Sequence, residues 1–176
     1  TVALSAYYSH IRPEAQEAPT VAINPEIVST AIEFCQKTHI WQEEFDLGVT
    51  IVDTADYQLT GLPSDSEVHA IRDVFCYSDH LSPESDFTLR IYPTVRTDSG
   101  TPQCYKFKYP DSITLIPSPS TASTDNLTII AALKPTRAAT TLPDIMNEPY
   151  FDAIIHGALS RLLTKRSMPW YDPSAA

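Results

Sequence analysis

The chain has 176 residues, the length of one domain, and 42 of them are Leu, Ile, Val or Phe, enough to bury a core. Twenty-two acids against 12 bases give a net charge of −10, which argues against a protein that wraps nucleic acid. Only four glycines against 15 prolines leave little material for phosphate-cradling loops, and the longest apolar run, Ile129 to Leu133, is too short for a membrane span.

No basic start followed by an apolar stretch marks a secretory signal. The charge is uneven: residues 1–100 carry 16 acids and 5 bases, residues 101–176 carry 6 acids and 7 bases. Three widely spaced cysteines, Cys35, Cys76 and Cys104, fit reduced, buried thiols better than a disulfide scaffold.

In chain order, Leu4, Tyr7, Tyr8 and Ile11 fall at helical spacing before Pro13, and 13–20 reads as a connector. Asn24 as cap, Pro25 at the first helical position and Glu26 at the positive end mark the start of a longer helix. Its apolar face is Ile27, Val28, Ala31, Ile32, Phe34, Cys35 and Thr38. After His39 the period becomes two: Trp41, Phe45, Leu47, Val49 and Ile51 alternate with polar neighbours, a strand with one wet face. A turn over 53–56 leads to a short strand at 57–59, and 68–77 reads as a central strand. The stretches 80–86 and 97–103 have loop composition, with a strand at 87–92 between them. Strands at 104–109, 113–116 and 127–133 follow in quick succession and read as a β-meander.

From Pro143 the chain returns to helix, with Met146, Phe151, Ile154, Ile155, Ala158, Leu159, Leu162 and Leu163 as one stripe. Pro149 starts a new helical segment or kinks the old one. The expected architecture is α+β: helices from both chain ends (1–40 and 142–176) packed together, flanking an inserted antiparallel β-meander or small sandwich (41–135) in one domain.

Candidate chemistry is sparse. Cys35 and His39 are four apart on a helix, as metal ligands can be, but no CxxC or HxxxH partner accompanies them. Cys76 or Cys104 can be paired on paper with His69, His80 or His156, yet both cysteines sit inside predicted strands, away from the helix N-terminus that would stabilise a thiolate. Glu43 and Glu44 point to opposite faces of a strand, and Asp144, Glu148 and Asp152 read as the solvated side of a helix, not as paired carboxylates for glycan cleavage. No catalytic, cofactor or metal residue is assigned. Trp41 joins helix to strand and reads as core. Trp170 and Tyr171 lie past the last core stripe, between two prolines, and either fold back on their own domain or anchor a partner. Arg161, Lys165 and Arg166 give that end a basic rim.

Six segments in this order resemble the head–tail adaptor (connector) proteins of tailed bacteriophages. Phe34-Cys35-Gln36-Lys37-Thr38-His39-Ile40-Trp41 is similar to their EFCxxTxxW segment, and Tyr57-Gln58-Leu59 to the YxLP that follows, with Thr60-Gly61 inserted before Leu62-Pro63. Residues 113–119 resemble their strand and turn, and 131–136 the end of the next strand. Leu142-Pro143-Asp144 with 154–163 is similar to their last helix, and 168–173 to the PWxDP motif that closes it.

The resemblance implies a non-enzymatic virion protein, in a ring commonly of twelve copies, in the neck between capsid and tail, assembled in the host cytoplasm. Its implied partners are further copies of itself, the portal protein and the tail nozzle or tube protein. DNA would pass only as genome through the lumen, with no membrane involved. Arg161, Lys165, Arg166, Trp170 and Tyr171 are the expected portal contact. Family members usually continue past the PWxDP motif with another helix, and the 78–103 region is longer than the pattern implies. The alternative reading is a carbohydrate- or surface-binding β-module of a phage tail, using aromatic residues such as Tyr92 or Tyr109.

Overall fold

The computed structural model describes residues 1–84, 99–122, 126–166 and 168–174. They form two compact units, one from 1–41, 64–66 and 134–176, the other from 42–63 and 67–133.

The first unit opens with strand β1 (Val2–Ala3), a 3-10 turn (Leu4–Tyr7) and the short helix α1 (Tyr8–Ile11). Helix α2 spans Thr20–Thr38, so it begins upstream of the expected start and carries Pro25 inside it. Two observations explain this. Ile23 is fully buried, which rewards helix before Asn24, and Asn24 is not a cap: its Oδ1 accepts a hydrogen bond from the Tyr8 hydroxyl at 2.6 Å. The helix ends on His39, whose φ of +51° is left-handed.

Strand β11 (Thr141–Leu142) pairs antiparallel with β1, and a 3-10 turn (Asp144–Met146) leads to helix α3 (Phe151–Leu163). This helix buries Ile154, Ile155, Ala158, Leu159, Leu162 and Leu163 and packs mainly against α2. Neither helix has a side-chain N-cap. A cap is worth about 1 kcal/mol, while each fully buried Leu or Ile contributes ~1.5–3 kcal/mol. Packing therefore sets these ends. Where the helices cross, Gly157 lies against Thr30: a Cβ on Gly157 would stand 2.4 Å from Thr30 Cγ2.

The second unit corrects the expected architecture. Strands make up 35 % of the described residues, and the β part is one seven-stranded mixed sheet, neither a flanked antiparallel meander nor a small sandwich. Its strands are β2 (Gln42–Val49), β3 (Asp56–Gln58), β4 (Ser66–Cys76), β5 (Asp79–Pro83), β7 (Cys104–Lys108), β8 (Ser112–Ile116) and β10 (Asn126–Pro135), in the order β2-β10-β4-β5-β7-β8-β3. The short strands β6 (Ser99–Gly100) and β9 (Ser118–Pro119) pair separately, in parallel.

The expected meander fails because β10 does not extend the β7–β8 hairpin. It runs between β2 and β4, where its buried Leu127, Ile129, Ala131, Ala132 and Leu133 have a strand on each side. The sheet is mixed because β5 runs parallel to β7, with Ser82 opposite Cys104. Residues 79–83 carry one buried side chain, Leu81, too few to leave a period, which is why this strand reads as loop in the sequence. The expected strand at 87–92 lies outside the described residues.

A second correction concerns β2. Its pairing with β10 shifts between Asp46 opposite Thr128 and Val49 opposite Asn126, leaving one extra residue on β2 beside Gly48, whose φ is +75°. This bulge inverts the alternation beyond it. Val49 and Ile51 are 50 % and 62 % exposed, and Thr50 is fully buried, its hydroxyl bonded to the Tyr77 hydroxyl.

Candidate interaction site

The expected contact residues all belong to the first unit, but the fold divides them. Arg161 on α3 and Lys165 just past its end reach α2: Arg161 bonds Glu33, and Lys165 Nζ lies 2.6 Å from Glu26 Oε1. Lys37 also bonds Glu33 from one turn along α2. The hydrogen bonds from Lys37 and Arg161 hold the Glu33 carboxyl below the usual carboxylate range. Arg161 and Lys165 thus tie α3 and the residues after it to α2. Arg166 is exposed beyond the end of α3.

Trp170 and Tyr171 sit elsewhere. The tail folds back on the end of α3 through one backbone hydrogen bond, Asp172 N–H to Leu163 C=O, and makes a turn of its own through another, Tyr171 N–H to Met168 C=O. Trp170 is half-buried with its indole N–H buried, and Tyr171 is 40 % exposed. Both line a cleft of about 280 Å³ whose other walls include Pro13, Glu14, Glu17 and Asp172. The aromatic pair thus keeps acidic company where the sequence led us to expect a basic rim. Glu14 and Glu17 were missed because 13–20 reads as a connector. Two acids among prolines there carry no period and no motif.

A second carboxylate with no sequence signal is Asp65. It sits in a left-handed turn, φ +61°, and its Oδ2 accepts hydrogen bonds from the backbone N–H and hydroxyl groups of both Thr140 and Thr141. These bonds hold its carboxyl below the ordinary Asp range.

The groups considered for chemistry are placed as follows. All three cysteines are buried. Burial pushes the Cys35 thiol up to about 12, while burial and then the nearby Asp79 push Cys76 to about 11. Cys104 is raised by burial and then by Glu84. Each thiol is thus held in its protonated, weakly nucleophilic form near neutrality. His80 Nε2 lies 2.9 Å from Asp73 Oδ1, and His156 is exposed on α3. Asp144 Oδ2 pairs with the Thr1 ammonium at 2.9 Å. Among the described residues no three His, Cys, Asp or Glu side chains gather as metal ligands. No described helix is long and apolar enough to cross a membrane. Tyr109, an aromatic of the alternative reading, is 69 % exposed and donates its hydroxyl to Glu67; Tyr92 lies outside the described residues.

In comparisons with known proteins, no family model and no curated protein matches the chain.

Proposed function

We propose that this protein is a structural component of a tailed-bacteriophage particle, a head–tail adaptor. Copies of it form a ring between portal and tail, around a channel for the genome. The observation that carries this reading is the ordered set of six adaptor-like segments, spread from 34 to 173. Segments 34–41, 142–144, 154–163 and 168–173, distant in sequence, all fall in one compact unit. Segments 57–59 and 113–119 supply the paired strands β3 and β8 of the other. An acidic chain suits a conduit, since negative charge along a lumen keeps duplex DNA from adhering as it passes. A ring needs a heterologous interface, two different faces of one chain meeting head to tail.

Mass photometry and negative-stain electron microscopy of the purified chain, alone and with its portal protein, test the reading. Closed rings are the expected result. A chain that stays monomeric in the presence of the portal protein refutes it. Glycan binding that depends on Tyr109 would favour the surface-binding alternative instead.

A further inference from the structure

We propose that the cleft beside Trp170 receives an arginine or lysine side chain from a second protein, so that the aromatic end of this chain docks on a basic segment. The inference rests on the adaptor reading for the kind of partner, a different protein of the particle, and on the cleft for its chemistry.

The walls combine two features that a long cationic side chain uses together. Trp170 and Tyr171 offer aromatic surface, and Glu14 and Glu17 offer negative charge, joined by Asp172, whose Oδ1 also accepts hydrogen bonds from the Ser174 N–H and hydroxyl. A volume of about 280 Å³ is ample for one such side chain, given that a cavity of about 150 Å³ accepts benzene. An anion is excluded by the three carboxylates. A bare metal ion is disfavoured because these acids are not gathered as ligands. The diffuse charge of a guanidinium, or an ammonium on an apolar stem, suits this spacing better.

Three bases of the same unit are committed elsewhere: Arg161 and Lys165 to α2, and Arg12 over the Tyr8 ring, 5.3 Å from its centroid. The cleft is also set in place before anything binds, because the Asp172 N–H bond to Leu163 C=O anchors the tail on one side and backbone bonds tie Glu14 and Ala15 to Ile11 on the other. Such preorganisation lowers the ordering cost of docking.

The test uses the full chain labelled with 5-fluorotryptophan, which reports Trp170 and the buried Trp41 as separate fluorine resonances. A tetra-arginine peptide is the probe and a tetra-glutamate peptide the control. Tetra-arginine is expected to shift Trp170 and not Trp41. The Glu14→Gln/Glu17→Gln double variant, with its Trp41 resonance unchanged as proof of folding, should bind about tenfold more weakly. The inference is overturned by no shift at Trp170, by an equal shift with tetra-glutamate, or by undiminished affinity in that variant. Ring assembly is measured on the same samples. Rings without arginine binding refute the cleft and spare the adaptor reading; arginine binding by a chain that never forms rings does the reverse. If the double variant loses ring closure, the cleft serves a second copy, and its assignment to a different protein fails.

Discussion

Gly157→Ala probes how closely the two long helices approach. The added methyl would stand 2.4 Å from Thr30 Cγ2, 3.4 Å from Oγ1 and 3.5 Å from Cβ. Carbon atoms pack best about 3.5–4.0 Å apart, so the first contact is more than 1 Å too short. Thr30 is β-branched, nine-tenths buried and stiff at χ1, and it cannot swing clear without cost. Overpacking of this kind costs ~1–3 kcal/mol. Ala in a helix interior returns about 1 kcal/mol relative to Gly. The net loss is roughly 0–2 kcal/mol, and in a protein of this size each 1 kcal/mol moves Tm by about 2–4 °C. Thr30→Ser deletes Cγ2 alone and leaves ordinary contacts to the new methyl. The double variant should therefore recover most of the loss, with a coupling energy of about 1–2 kcal/mol in a double-mutant cycle. Urea and thermal unfolding followed by circular dichroism read all four proteins. A Gly157→Ala protein more stable than the parent, or equally destabilised with and without Thr30→Ser, refutes the crossing geometry.

Three further outcomes are expected. Asp65→Asn, which tolerates the left-handed backbone, should lower Tm at pH 6. Because the folded Asp65 carboxyl ionises below its unfolded value, its stabilisation is present above about pH 4 and is lost as pH falls further. The gap between parent and variant must therefore narrow in melts at pH 3, and a constant gap would contradict the four-bond clasp. Gly48→Ala should cost ~1–2 kcal/mol from its positive φ alone, since nothing lies within 4 Å of the new methyl, and Gly48→Asn should cost less; equal melts for the three proteins would argue against the bulge. The Tyr7 hydroxyl is buried without a hydrogen-bond partner, and burial raises its pKa to about 12. Tyr7→Phe should gain about 1 kcal/mol and lose less stability than the parent between pH 10 and 12, the window in which the unfolded tyrosine ionises and the folded one does not.

The sequence speaks clearly where local pattern and burial agree, and is silent where tertiary pairing decides. The face of α2 from Ile27 to Cys35 and the stripe of α3 from Ile154 to Leu163 are legible because packing repeats at the helical period. The start of α2 is not, because Pro25 and Asn24 imitate a helix beginning while Tyr8, 16 residues away, claims the Asn24 side chain. In β2, Gly48 occupies a polar place in the alternation, so nothing in the pattern announces that the phase reverses there. Strand order is a further loss: adjacency in sequence predicts neighbours, yet β10 passes over its predecessor β8 to join β2 and β4. For the candidate site, Trp170 and Tyr171 stand out as aromatics left over from the core. Two of their acidic companions, Glu14 and Glu17, belong to a segment more than 150 residues earlier, and only the folded tail brings them together.

The first unit draws on both ends of the polypeptide and on three residues from its middle. During synthesis, residues 42–133 emerge while α2 still has no partner, so its apolar side, Ile23, Ile27, Val28, Ala31 and Cys35, waits uncovered until α3 leaves the ribosome. Translation order thus favours the sheet as the earlier folding nucleus and makes closure of the helix pair a late event. No short contiguous fragment contains that pair, whereas a circular permutant joining residue 174 to residue 1 would make it local and shorten the wait.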